Sequence, residues 1–183
     1  MDIRGIENIE KTMIKEVDER FDEWNNKKKT ISKKKPVNKD DRNKVILDVM
    51  PWTIWWFEAG ENIGYELGTH VDHHHNTYKF NRPCIVISKL KSLKDTDDSV
   101  VTVLPMSTKS EGVGIHKKYV HLLEAEKYPK NGRFKGLSKD SYVICHQIKS
   151  IDTKRLITMV HKRIGDDDIA TIQEKIKKYI DLP

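Results

Sequence analysis

The stretch Pro-Cys-Ile-Val-Ile-Ser-Lys at residues 83–89 is a short run of mainly apolar and β-branched residues, and it predicts a β-strand. Five more runs rich in Val, Ile, Tyr and Trp occur beyond Val45, separated by polar turns, at residues 52–58, 100–106, 119–123, 142–148 and 150–157. Several such strands within little more than a hundred residues predict a small, strongly bent sheet or a barrel.

A helix is predicted on each side of these strands. Residues 3–26 place apolar side chains at spacings of three and four on one helix face, namely Ile6, Ile9, Met13, Val17, Phe21 and Trp24. The lysine-rich residues 27–35 and then Pro36 are expected to end this helix and begin a linker. Near the other end of the sequence, Asp166 is the predicted cap of a helix whose apolar face carries Ile169, Ile172, Ile176 and Ile180.

The composition changes at Val45, and we therefore divide the chain into two parts. Residues 1–44 form an amphipathic helix with a basic linker, and residues 45–183 form one strand-rich domain with the C-terminal helix. The apolar face of the first helix has to be covered by the main domain, by a second subunit or by a partner protein. Because every predicted strand lies beyond Val45, a chain beginning there is expected to fold by itself.

The charge of the chain is unevenly distributed. The formal net charge is +6, to which residues 1–26 contribute −4, residues 27–44 contribute +7 and the remainder contributes +3. A basic segment attracts polyanions because binding releases their counterions. The same composition also describes a solvated linker, so the charge alone leaves both readings open.

The sequence also favours a location in the cytoplasm. No run approaches the roughly twenty apolar residues that a membrane helix needs, and the start Met-Asp-Ile-Arg-Gly has no apolar signal core. Cys84 and Cys145 lie inside apolar runs and are expected to be buried thiols of a reducing compartment, although a disulfide between them stays open. Neither cysteine belongs to a paired-cysteine zinc motif.

Polar stretches at the ends of the predicted strands carry the candidate catalytic side chains. They are Gly64-Tyr65-Glu66, Asn81-Arg82-Pro83, Pro105-Met106-Ser107-Thr108-Lys109-Ser110 and Cys145-His146-Gln147. If these strand ends meet on one rim, the site holds a guanidinium, hydroxyls, an imidazole and a carboxylate. Cleavage of RNA by its own 2′-hydroxyl needs a base, a cation for the phosphoryl oxygens and an acid at the leaving oxygen. Imidazole and arginine suit the first two roles.

Each of these side chains also has a purely structural explanation. Arg82 fits a solvated surface residue, and Ser107 and Thr108 fit a strand end at which the hydroxyls bond nearby backbone. His146 fits a half-buried histidine that a neighbour satisfies, and Glu66 fits an ordinary loop carboxylate. Taken from the residues alone, the set indicates phosphodiester cleavage without establishing it.

Taken together and in this order, the stretches resemble the PemK/MazF family of toxin–antitoxin ribonucleases. The resemblance covers roughly residues 50–180. The matching stretches are Trp55-Trp56-Phe57-Glu58, Asn62-Ile63-Gly64-Tyr65-Glu66, Arg82-Pro83-Cys84-Ile85-Val86-Ile87-Ser88, Val103-Leu104-Pro105-Met106-Ser107-Thr108-Lys109-Ser110, Gln147-Ile148-Lys149-Ser150-Ile151-Asp152 and Arg155-Leu156.

The resemblance implies both a fold and an activity. The fold is a β-rich α+β fold, an SH3-like small β-barrel with a C-terminal helix, here preceded by the N-terminal amphipathic helix. The activity is metal-independent and cofactor-free cleavage of single-stranded RNA at short sequences, leaving a 2′,3′-cyclic phosphate and a 5′-hydroxyl. The implied partners are a second copy of the chain, forming a homodimer, and an antitoxin protein whose tail fills the RNA groove.

The resemblance also implies the roles of individual residues. Arg82 falls on the family's catalytic arginine, and Ser107 falls on its catalytic threonine, so that the hydroxyl is kept. Glu66 falls on an acidic loop residue. His146 falls where several members have an acidic residue before the glutamine, so the base is either an imidazole or absent. The expected RNA contacts beyond these four residues are Thr108, Lys109, Gln147, His73, His74 and His75.

The loop at residues 60–81 carries a cluster of imidazoles, with His70, Asp72, His73, His74 and His75 close together. Contacts with RNA phosphates or bases are the favoured reading of His73–75. A transition-metal site is the alternative, since histidine clusters bind such ions, although the spacing here is not that of a known metal motif.

Two other functions stay open at this stage. The first is a non-catalytic PemK/MazF-like or gyrase-poison-like module that binds nucleic acid or protein after losing its base. The second is a metal-dependent nuclease that uses the histidine loop. Cleavage of RNA in the presence of EDTA discriminates among the three.

Overall fold

The computed structural model describes residues 3–34, 49–62, 70–72, 77–89, 100–108 and 117–182. Two α-helices are found there, α1 at Ile3–Ser32 and α2 at Asp166–Tyr179. Nine strands lie between them in sequence: β1 Ile54–Glu58, β2 His70–Asp72, β3 Thr77–Lys79, β4 Asn81–Lys89, β5 Val100–Ser107, β6 Val120–Leu123, β7 Ser141–Ile144, β8 Lys149–Asp152 and β9 Leu156–His161. The β-rich α+β class that the sequence predicts is therefore confirmed.

Seven of the strands form one antiparallel sheet. Its order is β6-β7-β5-β4-β1-β9, and β8 pairs with β5 beside this path. The first half of β5 pairs with β8 and its last two residues, Met106 and Ser107, pair with β7. One strand thus pairs with β4 on one side and with both β7 and β8 on the other. β2 and β3 form a separate hairpin inside the predicted loop at residues 60–81.

The sheet is not closed into a barrel, which corrects the expectation of an SH3-like β-barrel. Within the described residues, the outermost strands β6 and β9 do not pair with each other. β8 is joined to β9 only through the 3₁₀ helix Thr153–Arg155, which interrupts the strand predicted at residues 150–157. The side chain of Asp152 accepts a hydrogen bond from the backbone N–H of Lys154 at 2.8 Å. This capping bond turns the chain instead of extending the ladder.

Both faces of the sheet are buried, and each has its own core. One face carries Trp55, Phe57, Cys84 and other residues, and the opposite face carries Ile54, Ile85, Leu104, Met106 and the apolar side of α2. This division follows the two-residue alternation of strands. Cys84 and Cys145 are buried free thiols, as predicted.

The C-terminal helix α2 is confirmed, with a small correction at its start. Its N-cap is Gly165 and Asp166 is the first helical residue. Asp168, also in the first turn, accepts hydrogen bonds from the Tyr128 hydroxyl and from His121, whose Nε2 lies 2.6 Å away. A carboxylate in the first turn suits the positive end of the helix dipole, and its bond with His121 fixes α2 against β6.

The N-terminal helix α1 is longer than predicted. It continues through the lysines at 27–29 to Ser32, because lysine is a good helix former and because Ile31 becomes buried. Trp24 and Ile31 pack with Phe80 of the main domain, whereas Met13 is exposed. The main domain therefore covers the C-terminal part of the helix. No helix among the described residues is long and apolar enough to cross a membrane.

Candidate active site

Three strand ends meet at one edge of the sheet. β4 is antiparallel to both β1 and β5, so the end of β1, the start of β4 and the end of β5 lie at the same edge. β8 is antiparallel to β5 and begins with Lys149 opposite Val103. His146 and Gln147 lie between β7, where Tyr142 is opposite Ser107, and β8, where Lys149 is opposite Val103, so this segment runs alongside β5. The strand ends that carry Arg82 and Ser107 therefore converge at this edge.

Arg82 and Ser107 occupy neighbouring strands at this edge. Cys84 of β4 lies opposite Pro105 of β5, and the same register continued by two residues places Arg82 opposite Ser107. Opposed residues of antiparallel strands have Cα atoms about 5 Å apart and side chains on the same face. Both residues are half-buried. The guanidinium and the hydroxyl predicted from the sequence are therefore cross-strand neighbours.

Arg82, Ser107 and Thr108 line one groove, which we call the Trp56 groove, with a volume of about 670 Å³. Trp56 contributes an aromatic surface that is 38% exposed. The groove is lined by Trp56, Asn81, Arg82, Pro83, Met106, Ser107, Thr108, Lys135, Gly136, Leu137, Ser138, Lys139, Ser141 and Val160. It thus combines cations and hydroxyls with an apolar surface.

Sequence reasoning missed the contribution of residues 135–141 to this groove. Gly136 has a φ of +69°, and a Cβ there would lie 2.4 Å from the carbonyl carbon of Pro129. Only glycine therefore lets this segment pack so closely, and hydrogen bonds from Gly136 N to Val160 O and from Leu137 N to Tyr128 O hold it in place. Nothing in the spacing of Lys135 indicates its position, because residues 135–140 have no regular secondary structure.

Trp56 was also missed, although the sequence contains a signal for it. It stands between Trp55 and Phe57, which are both fully buried. Alternation along a strand places the middle residue on the opposite face from its two neighbours. Three consecutive aromatic residues in a strand therefore predict that one of them differs in its environment.

His146 and Gln147 line a second cavity, the His146 cavity, with a volume of about 400 Å³. Its lining consists of Ala59, Asn62, His146, Gln147, Ile148, Lys149, Ser150, Ile151 and Arg155. The ring of His146 has its centroid 6.5 Å from that of Tyr119 and 6.0 Å from that of Tyr179. Within one chain, the candidate imidazole and the candidate guanidinium of Arg82 therefore line different cavities.

Burial affects both arginines at this edge in the same way. Loss of solvent lowers the pKa of Arg82, and it also lowers that of Arg155, against the opposing effect of the Glu58 and Asp152 charges. A guanidinium group is so strong a base that both side chains stay charged at neutral pH. A half-buried cation interacts more strongly with a phosphate than an exposed one does, because water screens it less.

Arg155 also fixes the end of β1. Its Nε donates to the carbonyl oxygen of Glu58 at 2.8 Å, and its Nη2 donates to that of Ala59 at 2.6 Å. The guanidinium lies over the rings of Trp24 and Phe57, at 5.5 and 6.0 Å from their centroids. Arg155 therefore connects the His146 cavity to α1.

Several predicted residues cannot be placed. Glu66, Lys109, His73, His74 and His75 lie outside the described residues. His70 and Asp72 belong to β2. Among the described residues, no group of three or more His, Cys, Asp or Glu side chains is arranged to hold a metal ion.

Comparisons with known proteins relate the chain to one family. A family model described as PemK-like, MazF-like toxin of type II toxin-antitoxin system matches residues 51–180. A search of curated proteins finds no match.

Similar solved structures include the Mycobacterium tuberculosis toxin MazF-mt6, with 17% identity and a TM-score of 0.42 over 64% of this chain and 99% of that one. An endoribonuclease in complex with its cognate antitoxin, from a mycobacterial species, has 12% identity and a TM-score of 0.39 over 73% of this chain and 96% of its own. A further mycobacterial endoribonuclease has 12% identity and a TM-score of 0.42 over 76% and 98%.

Proposed function

The chain belongs to the family of PemK-like, MazF-like toxins of type II toxin–antitoxin systems, and from this premise we propose that it is a metal-independent endoribonuclease. Its substrate is single-stranded RNA. The 2′-hydroxyl of the RNA attacks the adjacent phosphorus and the bond to the 5′ oxygen breaks, which leaves a 2′,3′-cyclic phosphate and a 5′-hydroxyl. The observation that supports this proposal is the presence of Arg82, Ser107 and Thr108 in one groove.

The proposed roles follow from the chemistry of each group. Arg82 binds the phosphoryl oxygens, whose charge grows in the transition state, through two N–H donors. The hydroxyl of Ser107 donates to a further phosphoryl oxygen, and Thr108 stands next to it on the same rim. No protein nucleophile is needed, since the attacking oxygen belongs to the RNA.

The rest of the Trp56 groove suits single-stranded RNA. An exposed indole offers a surface on which an unpaired base stacks, a contact worth about 1–3 kcal/mol. Lys135 and Lys139 lie on the same groove and are exposed, where they meet the phosphates on either side of that base. A duplex has its bases paired and does not offer this contact.

The proposed general base is His146, with Glu66 as the alternative. Neutral imidazole accepts the proton of the 2′-hydroxyl near physiological pH. Gln147, in the same cavity as His146, is proposed to contact RNA. Because His146 and Arg82 line different cavities, the RNA has to cross the edge of the sheet between them. Lys109 and His73–75 complete the proposed RNA contacts.

We propose the partners from family membership alone. They are a second copy of this chain in a homodimer and a cognate antitoxin that blocks the RNA groove. We also propose that the protein acts in the cytoplasm and that its substrate is messenger RNA.

A non-catalytic module that binds nucleic acid or protein is the second candidate, and one observation favours it. The described lining of the Trp56 groove contains Arg82, Ser107 and Thr108 but no histidine, aspartate or glutamate. A groove that binds phosphate without a base nearby retains RNA and does not cut it.

One experiment separates these functions. Purified protein is incubated with single-stranded RNA in EDTA, and the ends of the fragments are analysed, with the Arg82→Ala variant purified in parallel to reveal contaminating nucleases. Discrete fragments with cyclic-phosphate ends, absent with the variant, support the endoribonuclease. Binding without cutting supports the module, and cutting that EDTA abolishes and zinc or manganese restores supports a metal-dependent nuclease.

A further inference from the structure

Helix α1 has opposite charges in its two parts. All seven of its acidic residues lie before Trp24, whereas residues 25–32 hold three lysines and no acidic residue, and Lys33 and Lys34 follow directly after the helix. The helix contacts the main domain from Arg20, whose Nε lies 3.8 Å from Oε1 of Glu61, onward. The basic part of α1 therefore lies within the stretch that contacts the main domain.

The basic part of α1 is attached to the edge that carries the candidate site. Trp24 stacks on Phe80, which directly precedes β4, with 5.4 Å between ring centroids. Glu58 at the end of β1 is only 3% exposed, and its Oε1 lies 3.4 Å from the Nζ of Lys27 and 3.7 Å from that of Lys34. These contacts fix the orientation of the helix at this position.

A cavity of about 280 Å³ lies between α1 and the 3₁₀ helix, and we call it the α1 cavity. It is lined by Trp24, Lys28, Ile31, Ser32, Asp152, Lys154 and Arg155. Arg155 also lines the His146 cavity. The two cavities are therefore neighbours, with the side chain of Arg155 common to both.

The cationic residues of the two cavities form a continuous basic band, defined here as Lys28, Lys149, Lys154 and Arg155. Lys149 lies in the His146 cavity, Lys28 and Lys154 lie in the α1 cavity, and Arg155 joins them. Asp152 is the acidic residue in this lining, and its carboxylate already accepts the backbone N–H of Lys154. The band extends from the His146 cavity, which shares no lining residue with the Trp56 groove, to α1.

We propose that this band binds the phosphates of single-stranded RNA that extends from the candidate site, so that α1 lengthens the RNA-binding surface of the toxin. This inference rests on the proposed function, because that function is what identifies the ligand as single-stranded RNA. It assigns a role to residues before 51, which lie outside the matched family region.

Single-stranded RNA fits the band better than an acidic peptide does. RNA carries one charge per nucleotide along a flexible backbone, and cations in successive cavities follow such a chain. The band also begins at the cavity of His146 and Gln147, where a substrate longer than the groove has to continue. An acidic peptide has no comparable reason to begin there.

The test measures RNA binding without cleavage. A fluorescent 30-nucleotide 2′-O-methyl RNA of mixed sequence lacks the attacking hydroxyl, so its affinity is measurable by anisotropy at several salt concentrations. The double variant Lys28→Gln/Lys154→Gln removes two charges from the band. The matched control is Arg133→Gln/Lys162→Gln, which removes two exposed charges near Phe134, away from both cavities.

We expect the band variant to bind this RNA roughly tenfold more weakly at physiological salt, and the slope of log K against log salt to fall by about 1.4, since each lost phosphate contact contributes about 0.7. The control should stay within about twofold of the unchanged protein. Equal affinities of the two variants would overturn the inference. So would a band variant that keeps its RNA affinity but loses binding to a 20-residue poly-glutamate peptide, because the band would then serve an acidic protein.

Thermal melts of both variants show whether the fold is kept. Failure of the proposed endoribonuclease function is recognised separately, in the EDTA assay with ordinary RNA. If the protein binds the 2′-O-methyl RNA through the band but cuts no RNA, the inference about the band stands and the proposed endoribonuclease function fails. If instead the protein cuts ordinary RNA and its band variant binds the 2′-O-methyl RNA normally, the endoribonuclease function stands and the inference about the band fails.

Discussion

The indole of Trp24 lies directly against the backbone of Gly60, so that a Cβ on residue 60 would be 2.4 Å from the ring. Gly60 also has a φ of +85°, a conformation that side chains disfavour. The N-terminal helix and the end of β1 therefore fit together because residue 60 is glycine. This contact makes α1 part of the edge that carries the candidate site.

Gly60→Ala should lower the free energy of unfolding more than Gly132→Ala does. Both glycines have positive φ, but nothing lies within 4 Å of a Cβ built on Gly132. The backbone cost of about 1–2 kcal/mol applies to both, whereas overpacking against Trp24 adds about 1–3 kcal/mol at Gly60 alone. Urea unfolding measures the two losses. If Gly60→Ala and Gly132→Ala lower the free energy of unfolding equally, Trp24 does not pack against Gly60.

Trp24→Ala should destabilise the protein by about 3–5 kcal/mol, the usual cost of removing a buried tryptophan. The side chain is buried between Gly60, Phe80 and Arg155. Met13→Ala in the same helix is the control, since Met13 is 61% exposed and its loss should cost less than about 0.5 kcal/mol. Thermal melting compares them. Similar small losses for both would mean that α1 is dispensable, as the division at Val45 predicts.

The helix α1 shows where the sequence was sufficient and where it was not. Spacings of three and four identified the helix and included Trp24 in its apolar face. The predicted end of the helix was wrong, because the lysines after Trp24 are compatible with both a helix and a linker. What decides between them is the burial of Ile31 and the pairing of Lys27 with Glu58, which are tertiary contacts.

The candidate site shows the same limit. The strand runs and the family motifs were enough to select Arg82 and Ser107, and the observed register makes them neighbours. The position of His146 was not predictable, because it follows a turn after β7 and packs near Tyr119 and Tyr179. Residues far apart in sequence determine that packing, and the spacing of motifs carries no information about it.

Arg82→Ala should reduce RNA cleavage on the order of a hundred- to a thousand-fold, as loss of a preorganised donor to the transition state does. Ser107→Ala should reduce it less, because a neutral hydroxyl stabilises charge less than a guanidinium does. Arg133→Ala, which removes an exposed arginine near Phe134, is the control. Initial rates on a labelled RNA measure all three. A folded Arg82→Ala protein with near-normal rates would remove Arg82 from the site.

Asp168→Asn should cost stability at neutral pH and much less in acid. Burial raises the pKa of Asp168, but the bonds from Tyr128 and His121 outweigh it and leave the pKa below its usual value. A carboxylate with a lowered pKa stabilises the fold above its unfolded pKa, near 4, and this contribution is lost as pH falls through the folded pKa. The expected loss is about 1–3 kcal/mol at pH 7.

The control for this change is Asp167→Asn, one residue earlier on the exposed side of the same helical turn. The melting temperatures of the Asp168→Asn variant and of the unchanged protein should differ at pH 7 and become nearly equal at pH 3. They should stay nearly equal at both values for the Asp167 variant. A constant difference for Asp168→Asn across this range would contradict the ionic origin of the effect.

His146→Gln tests the proposed base against a packing role. If His146 accepts the 2′ proton, cleavage by the unchanged protein should rise with pH through the range where imidazole deprotonates, around pH 6.5 for a free histidine. The variant should lose this rise and about a hundred- to ten-thousand-fold in rate. If His146 only packs against Tyr119 and Tyr179, the variant should have a lower melting temperature while its pH–rate profile keeps its shape. That second outcome, together with an inactive Glu66→Gln protein, would give the role of base to Glu66.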